Sequence, residues 1–252
     1  MKIVRQTALD RKIAIGTSVV MAGYCLEVNE KNLIYLALAG INQKNKLVVG
    51  EEHKVYLEDF ANLLGHKTEE DKLLPYRLNN TKVAINAALK TLYHRTIKLS
   101  KGEEHRWLTG YKNLEATGEN YVVLKWNPDL FPHLTELKTY ANLLARDCAG
   151  IKGKYTSRIL ELVSQDKLGK KNKERTFGSV HINIDEFLEM IQAPDTYRDY
   201  RYLKKFVLHP AIEELGEFNT KTKKGLGIVK IELVDDKRID RKIKGFTLKY
   251  WW

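Results

Sequence analysis

The sequence predicts an α+β protein of two tandem winged-helix (winged helix-turn-helix) domains. Three observations carry that prediction: a weak internal repeat, the same order of elements after each copy, and a large surplus of positive charge. The repeat appears when residues 55–65, VYLEDFANLLG, are set over residues 182–192, INIDEFLEMIQ. Each copy opens with alternating apolar residues, Val55 and Leu57 in one and Ile182 and Ile184 in the other. Each then places an acidic pair, Glu58-Asp59 or Asp185-Glu186, at the head of an apolar helical stripe (Phe60, Leu63, Leu64; Phe187, Met190, Ile191). Carboxylates in a first turn face the positive end of the helix dipole, so both copies read as a strand running into a helix.

After each copy comes a break (residues 67–75; Ala193-Pro194-Asp195), then a helix-period segment (81–96; 196–215), then two alternating segments. The first hairpin is expected to pair residues 106–112 with 120–126, and the second 227–233 with 244–250, with turns at Gly118 and Asp235-Asp236. Helix, turn, helix and hairpin form the winged helix-turn-helix, whose second helix enters the major groove of DNA. A generic small α+β domain would give the same order once; finding it twice in a basic chain favours DNA binding. A boundary is expected within 141–154, where a helix-like run over 137–148 meets Ala149-Gly150-Ile151-Lys152-Gly153-Lys154, giving domains at 1–140 and 141–252. The apolar run 33–41 reads as a core helix or strand.

The formal net charge is +11, and residues 151–252 hold 22 Lys and Arg against 15 Asp and Glu, so +7 of it falls in that part. Such a surplus favours a polyanionic partner. Cys25 and Cys148 lie far apart without metal-ligand spacing, so neither a disulfide framework nor a zinc site is indicated, and a reducing cytoplasm is expected. The charged start Met1-Lys2-Ile3-Val4-Arg5 reads as no signal peptide, and no run approaches the length of a membrane span. There is no phosphate loop GxxxxGK[ST], no HExxH, no GxSxG and no His-hydrophobe-His pair. A metal-dependent nicking enzyme is therefore disfavoured, and neither catalytic residues nor cofactors are expected. His181 and His209 read as packed or surface residues.

In the second unit, Thr196-x-x-Asp199 reads as a capping box starting a helix near Tyr197. Helical spacing puts Tyr200, Leu203, Val207 and Ala211 on one face and leaves Arg198, Arg201, Tyr202, Lys204 and Lys205 outside it. Arg and Lys there can read guanine or hold phosphates. Pro210 is expected to kink or restart the helix, separating that half from Glu213-Glu214. Wing-side cations are Lys221, Lys223 and Lys224, then Arg238, Arg241, Lys242 and Lys244. The first unit offers Lys82, Asn86, Lys90, His94 and Arg95, with Lys98, Lys101 and Arg106 leading into its wing; Ala84, Ala87 and Ala88 suit a core or a dimer contact equally. The terminal Trp251 and Trp252 are expected to pack on the second domain, and the basic loop 168–175 to be solvated.

Several segments carry a resemblance: Tyr155-x-x-Arg158-Ile159-Leu160-Glu161-Leu162, Ile184-Asp185-Glu186-Phe187, Tyr197 through Val207-Leu208-x-Pro210-Ala211-Ile212-x-Glu214-Leu215, and Gly245-Phe246-Thr247-Leu248. In joint order they resemble the C-terminal winged-helix domain of iteron-type plasmid replication initiators, closely over about 140–250 and more loosely over 30–135. The resemblance implies a chain that binds direct repeats of double-stranded DNA at a plasmid origin as a monomer, with both domains in successive major grooves. It also implies dimerisation through the N-terminal domain, the main sequence-specific contact in the C-terminal one, autoregulation at an operator, and recruitment of host helicase and host initiator. By position, base reading maps to residues 198–205 and backbone contact to Lys152, Lys154 and Arg158; Tyr200 and Tyr202 stand where some members are basic. A winged-helix repressor dimer on a palindrome shares the same physical features.

Overall fold

The computed structural model describes residues 11–65, 75–99, 102–169, 177–221, 230–236 and 243–251. In chain order the elements are β1 (Lys12–Gly16), α1 (Thr17–Val20), α2 (Val28–Ala39), β2 (His53–Tyr56), α3 (Leu57–Leu63), α4 (Pro75–Tyr93), β3 (Thr96–Lys98), β4 (Glu104–Arg106) and β5 (Leu108–Lys112). Then follow α5 (Leu114–Thr117), β6 (Tyr121–Trp126), α6 (Phe131–Leu134), β7 (Tyr140–Leu144), α7 (Thr156–Gly169), β8 (Phe177–Asn183), α8 (Ile184–Ile191), α9 (Tyr200–Leu203), α10 (His209–Lys221), β9 (Lys230–Asp235) and β10 (Gly245–Trp251).

The internal repeat is a structural one. Helix, strand, helix, helix and hairpin recur as α2-β2-α3-α4-β5-β6 and as α7-β8-α8-α9/α10-β9-β10, and the three-stranded sheets have the same topology, β2-β6-β5 and β8-β10-β9, all antiparallel. The register places Val55 opposite Val122 and Leu248 between Val180 and Leu233. Alternation therefore buries Val122, Leu124 and Trp126 in one unit and Phe246, Leu248 and Tyr250 in the other. The apolar run at 33–41 becomes α2 and its exit, with Leu33 to Leu38 all buried. Asn183 caps α8 by accepting from the amides of Asp185 and Glu186, which fixes the acidic pair in the first turn. Gly118, at φ 65°, ends α5 in the left-handed conformation that glycine adopts without strain.

Three expectations are corrected. The run 137–148 is not a helix: Tyr140–Leu144 forms β7, paired antiparallel with β1 from Lys12↔Leu144 to Gly16↔Tyr140, and a 3-10 turn follows at Ala145–Cys148. Ala141 and Leu143 are buried with period two, and the strand partner that exploits this lies far away in sequence. The segment 106–112 is split at Trp107, so Arg106 belongs to a separate small hairpin, β3-β4. The second-unit helix starts later than its expected cap, as described below. Trp251 closes β10 opposite Phe177 and Lys230, as expected of a packed end; Trp252 lies outside the described residues.

The two units are joined by shared structure. Helix α7 packs on β7 and α1 as well as on β8 and α10. Gly23 exchanges two 2.8 Å backbone hydrogen bonds with Lys98, and the next residue, Tyr24, donates its amide to Met190 O at 3.1 Å. One short segment thus touches both units.

Candidate nucleic-acid interface

The second helix of the C-terminal unit is built in three pieces. A 3-10 turn at Asp195–Arg198 leads to Asp199, whose carboxylate accepts from Arg201 N at 3.0 Å. Asp199 is therefore the cap, and the helix begins at Tyr200 rather than near Tyr197 under Thr196. The helix then widens into a π turn over Lys204–Leu208, in which His209 N donates to Lys204 O, and continues as α10. Pro210 has no amide to give, and the wider turn accommodates the loss where a kink or restart was expected.

Leu203, Val207, Ala211 and Leu215 face the core, and the Tyr200 ring stacks on Phe246 with centroids 6.4 Å apart. The opposite face presents Arg201, 87% exposed, with Tyr202, Lys205, Phe206 and His209. Most of its cations hold a carboxylate: Arg198 pairs with Asp195 at 3.0 Å, Arg201 with Asp199 at 2.7 Å, and Lys204 with Asp235 at 2.8 Å. Such exposed pairs contribute little stability, so a phosphate can displace the carboxylate at small cost. Asp235 also accepts from Tyr200 OH at 2.7 Å, fastening the helix to strand β9. Burial raises the Asp235 carboxyl, but hydrogen bonds from Lys204 and Tyr200 outweigh it and hold the group below the usual carboxylate range.

Aromatic rings line the same face. Phe206 lies 6.0 Å from Tyr202 and 6.3 Å from Tyr197, with ring planes within 15° and 21°, and Tyr197 meets Tyr155 edge-on. Lys205 Nζ is 5.2 Å from the Phe206 centroid. Tyr202 and Phe206 remain 47% and 48% exposed.

In the N-terminal unit α4 holds Lys82 and Lys90 on its exposed side. Asn86 instead ties α4 to α5, since its Oδ1 accepts from Leu114 N at 3.3 Å and its Nδ2 donates to Glu115. Arg95 donates from Nε to Glu30 at 3.0 Å, and the Arg106 guanidinium lies 5.7 Å from the Tyr93 ring. His94 and Lys98 are exposed. Ala88 packs in the core and Ala87 is exposed. Lys101, Lys223, Lys224, Arg238, Arg241 and Lys242 lie outside the described residues, as does the side chain of Lys221 and most of the 168–175 loop; Lys244 is exposed.

Of the three residues assigned to backbone contact, Lys152 is exposed and Lys154 half-buried, 3.6 Å from Glu27. Glu214 shapes this loop by accepting from the amides of Lys152 and Gly153. Arg158 departs from its expected place. It is 3% exposed; its Nη1 donates to Glu161 at 2.7 Å and to the Tyr24 hydroxyl, and its Nη2 donates to the carbonyls of Val20 and Ala22, both at 2.8 Å. The guanidinium is an internal tie between α7 and the segment that follows α1, with no face left for a phosphate. Its partners Val20, Ala22 and Tyr24 are 134 to 138 residues away, beyond any local pattern. Among the described residues no three His, Cys, Asp or Glu side chains converge as a metal site, and no helix is long and apolar enough to cross a membrane. His181 is exposed and 2.8 Å from Asp236.

The model of the initiator replication protein family's WH1 domain matches residues 12–164, and that of the initiator Rep protein WH2 domain matches residues 183–250. The chain belongs to this initiator replication protein family. A replication initiation protein of Escherichia coli is 24% identical over 155 residues, 60% of this chain, and the match spans 44% of that protein's length. The crystal structure of the Pi initiator protein in complex with iteron DNA shares the fold, with a TM-score of 0.72 at 19% identity over 96% of this chain and 98% of that one.

For this initiator-family chain, sequence reading found the helices but missed two exposed apolar residues on them, Phe206 and Val83, the latter 63% exposed on α4. The signal was present: Phe206 follows Tyr202 by four residues, off the stripe of Leu203, Val207 and Ala211.

Proposed function

We propose that this chain is a plasmid replication initiator that binds repeated double-stranded DNA sites at an origin, helps to open it, and recruits host replication proteins such as the helicase and the host initiator. One observation carries the reading: a single chain holds two winged-helix units of identical topology, and the second helix of each has a cation-bearing solvent face. Two units in one chain suit successive grooves of one asymmetric repeat, whereas one unit per chain needs a dimer and a palindrome. The shared fold with an initiator solved on iteron DNA supports the same reading.

In this proposal residues 141–252 make the main sequence-specific contact, and residues 1–140 add a second contact and a monomer–dimer surface. Binding energy alone, without catalysis or cofactor, drives the action in the cytoplasm, and the same binding at an operator would regulate the chain's own gene. The test is fluorescence anisotropy with labelled duplexes tiling the DNA beside the gene, at two salt concentrations and against a scrambled duplex. The expected result is tight, repeat-specific binding lost in Arg201→Ala/Lys205→Ala. Equal, weak binding to every duplex would refute the reading.

A further inference from the structure

We infer that both recognition helices read thymine through its 5-methyl group, using apolar side chains held at the surface: Tyr202 and Phe206 in the C-terminal unit, and Val83 with Ala87 in the N-terminal one. The inference rests on the DNA-binding reading above and deepens it, naming the base feature that is read.

Large apolar side chains left in water are unfavourable, and a grouped set on a functional helix calls for a partner. Tyr202 and Phe206 are nearly half exposed one turn apart, their planes within 15° of parallel. Tyr197 stacks behind Phe206, so the ring is held before any ligand arrives. The flanking cations Arg198, Arg201 and Lys204 can leave their carboxylates for phosphates, and Lys205 is a point charge suited to phosphate, which leaves the apolar side chains between them to meet the base edges. Helix α4 repeats the arrangement independently. Val83 is 63% exposed, Ala87 follows at i+4, and Asn79 precedes at i−4, all on the solvent side. In the major groove apolar side chains meet the thymine methyl, and asparagine pairs with the N6/N7 edge of adenine. Asn79 beside Val83 therefore presents matching groups to one A·T step. A protein partner would also accept exposed aromatics, but it would not require the same feature on both second helices, between cations.

The experiment selects a preferred duplex from a random 30-base-pair library (about three helical turns) with the wild-type chain. Each thymine of that duplex is then replaced, one at a time, by deoxyuridine, which removes only the methyl. Affinities are measured for the wild type, Phe206→Ala and Val83→Ala. Replacement at one or two thymines should weaken the wild type about fourfold per methyl, with Phe206→Ala indifferent at those positions. Val83→Ala should lose part of the effect at thymines about one helical turn, or 10 base pairs, away. Each protein is judged on its own thymine-to-uracil ratio, so a general loss of stability does not imitate the result. Equal affinity for thymine and uracil duplexes, or the same loss in Phe206→Ala as in the wild type, would overturn the inference while leaving DNA binding intact. Failure of the library to enrich over a scrambled duplex would sink the DNA-binding reading, and this inference with it.

Discussion

Two cations, Lys31 and Arg158, share one buried carboxylate. Lys31 Nζ lies 2.6 Å from Glu161 Oε1 and Arg158 Nη1 2.7 Å from Oε2, while the Tyr35 hydroxyl donates to Oε1 at 2.8 Å. Burial, opposed by Glu161 and assisted by Arg158, pushes the Lys31 ammonium down to about 8. Between that value and its unfolded value of about 10.4, the unfolded chain holds a proton that the folded one has shed, so stability rises with pH across the window. Burial holds the Tyr24 and Tyr35 hydroxyls well above their ordinary range, which opposes this gain once unfolded tyrosines ionise near pH 10. Lys31→Met should flatten the rise between pH 8 and 10 and raise stability at pH 7 by about 1–3 kcal/mol, since Glu161 keeps Arg158 and Tyr35. Glu161→Gln, which strands two cations, should cost about 3–5 kcal/mol. Urea midpoints at pH 7, 8, 9 and 10 check both. None of this was legible in the sequence, where Arg158 and Glu161 read as an ordinary i,i+3 pair on a helix surface, because the partners that bury them, Tyr24, Lys31 and Tyr35, lie more than a hundred residues away.

Elements were more legible than residues. The helices and hairpins of both units follow from local periodicity and from acidic first turns, and the register of Val55 on Val122 agrees with alternation visible in the chain. Strand β7 was hidden because its partner β1 lies at the other end of the domain. The π turn before Pro210 was hidden because the missing amide forbids an α-helical bond without saying what replaces it. Two contacts at this scale can be tested. Asp235→Ala releases Tyr200 and Lys204 and so unfastens α9 and the turn after it from β9; it should lower stability by about 1 kcal/mol. It should also reduce the ratio of specific to scrambled-duplex affinity, because it removes a negative charge while loosening the reading helix. Denaturant midpoints and anisotropy measure the two effects. At Gly178 an added Cβ would run into the Tyr250 hydroxyl, which donates to Asp166 of α7 at 2.5 Å. Gly178→Ala should therefore destabilise by about 1–3 kcal/mol, read as a lower melting temperature.

At the scale of the whole molecule, charge and fold act together. On the proposed reading, the surplus of +11 supplies affinity without sequence information, and the two second helices supply the sequence preference. Each phosphate contact adds about 0.9 to the slope of log affinity against log salt, so Arg201→Ala/Lys205→Ala should flatten it by about two. The buried tie of Arg158 to Val20, Ala22 and Tyr24 fixes α7, which packs on α1 and β7 and also on β8 and α10, and on the proposed reading such a fixed helix suits two units that meet one duplex in register. The measurement that tests this most directly is a hydroxyl-radical footprint of the wild-type chain on its selected duplex at one chain per duplex. The account predicts two protected patches on one face of the DNA, about 10 base pairs apart, with the outer one lost when Lys82 and Lys90 become Ala. A single protected groove, or protection that appears only when two chains occupy a palindrome, would contradict it.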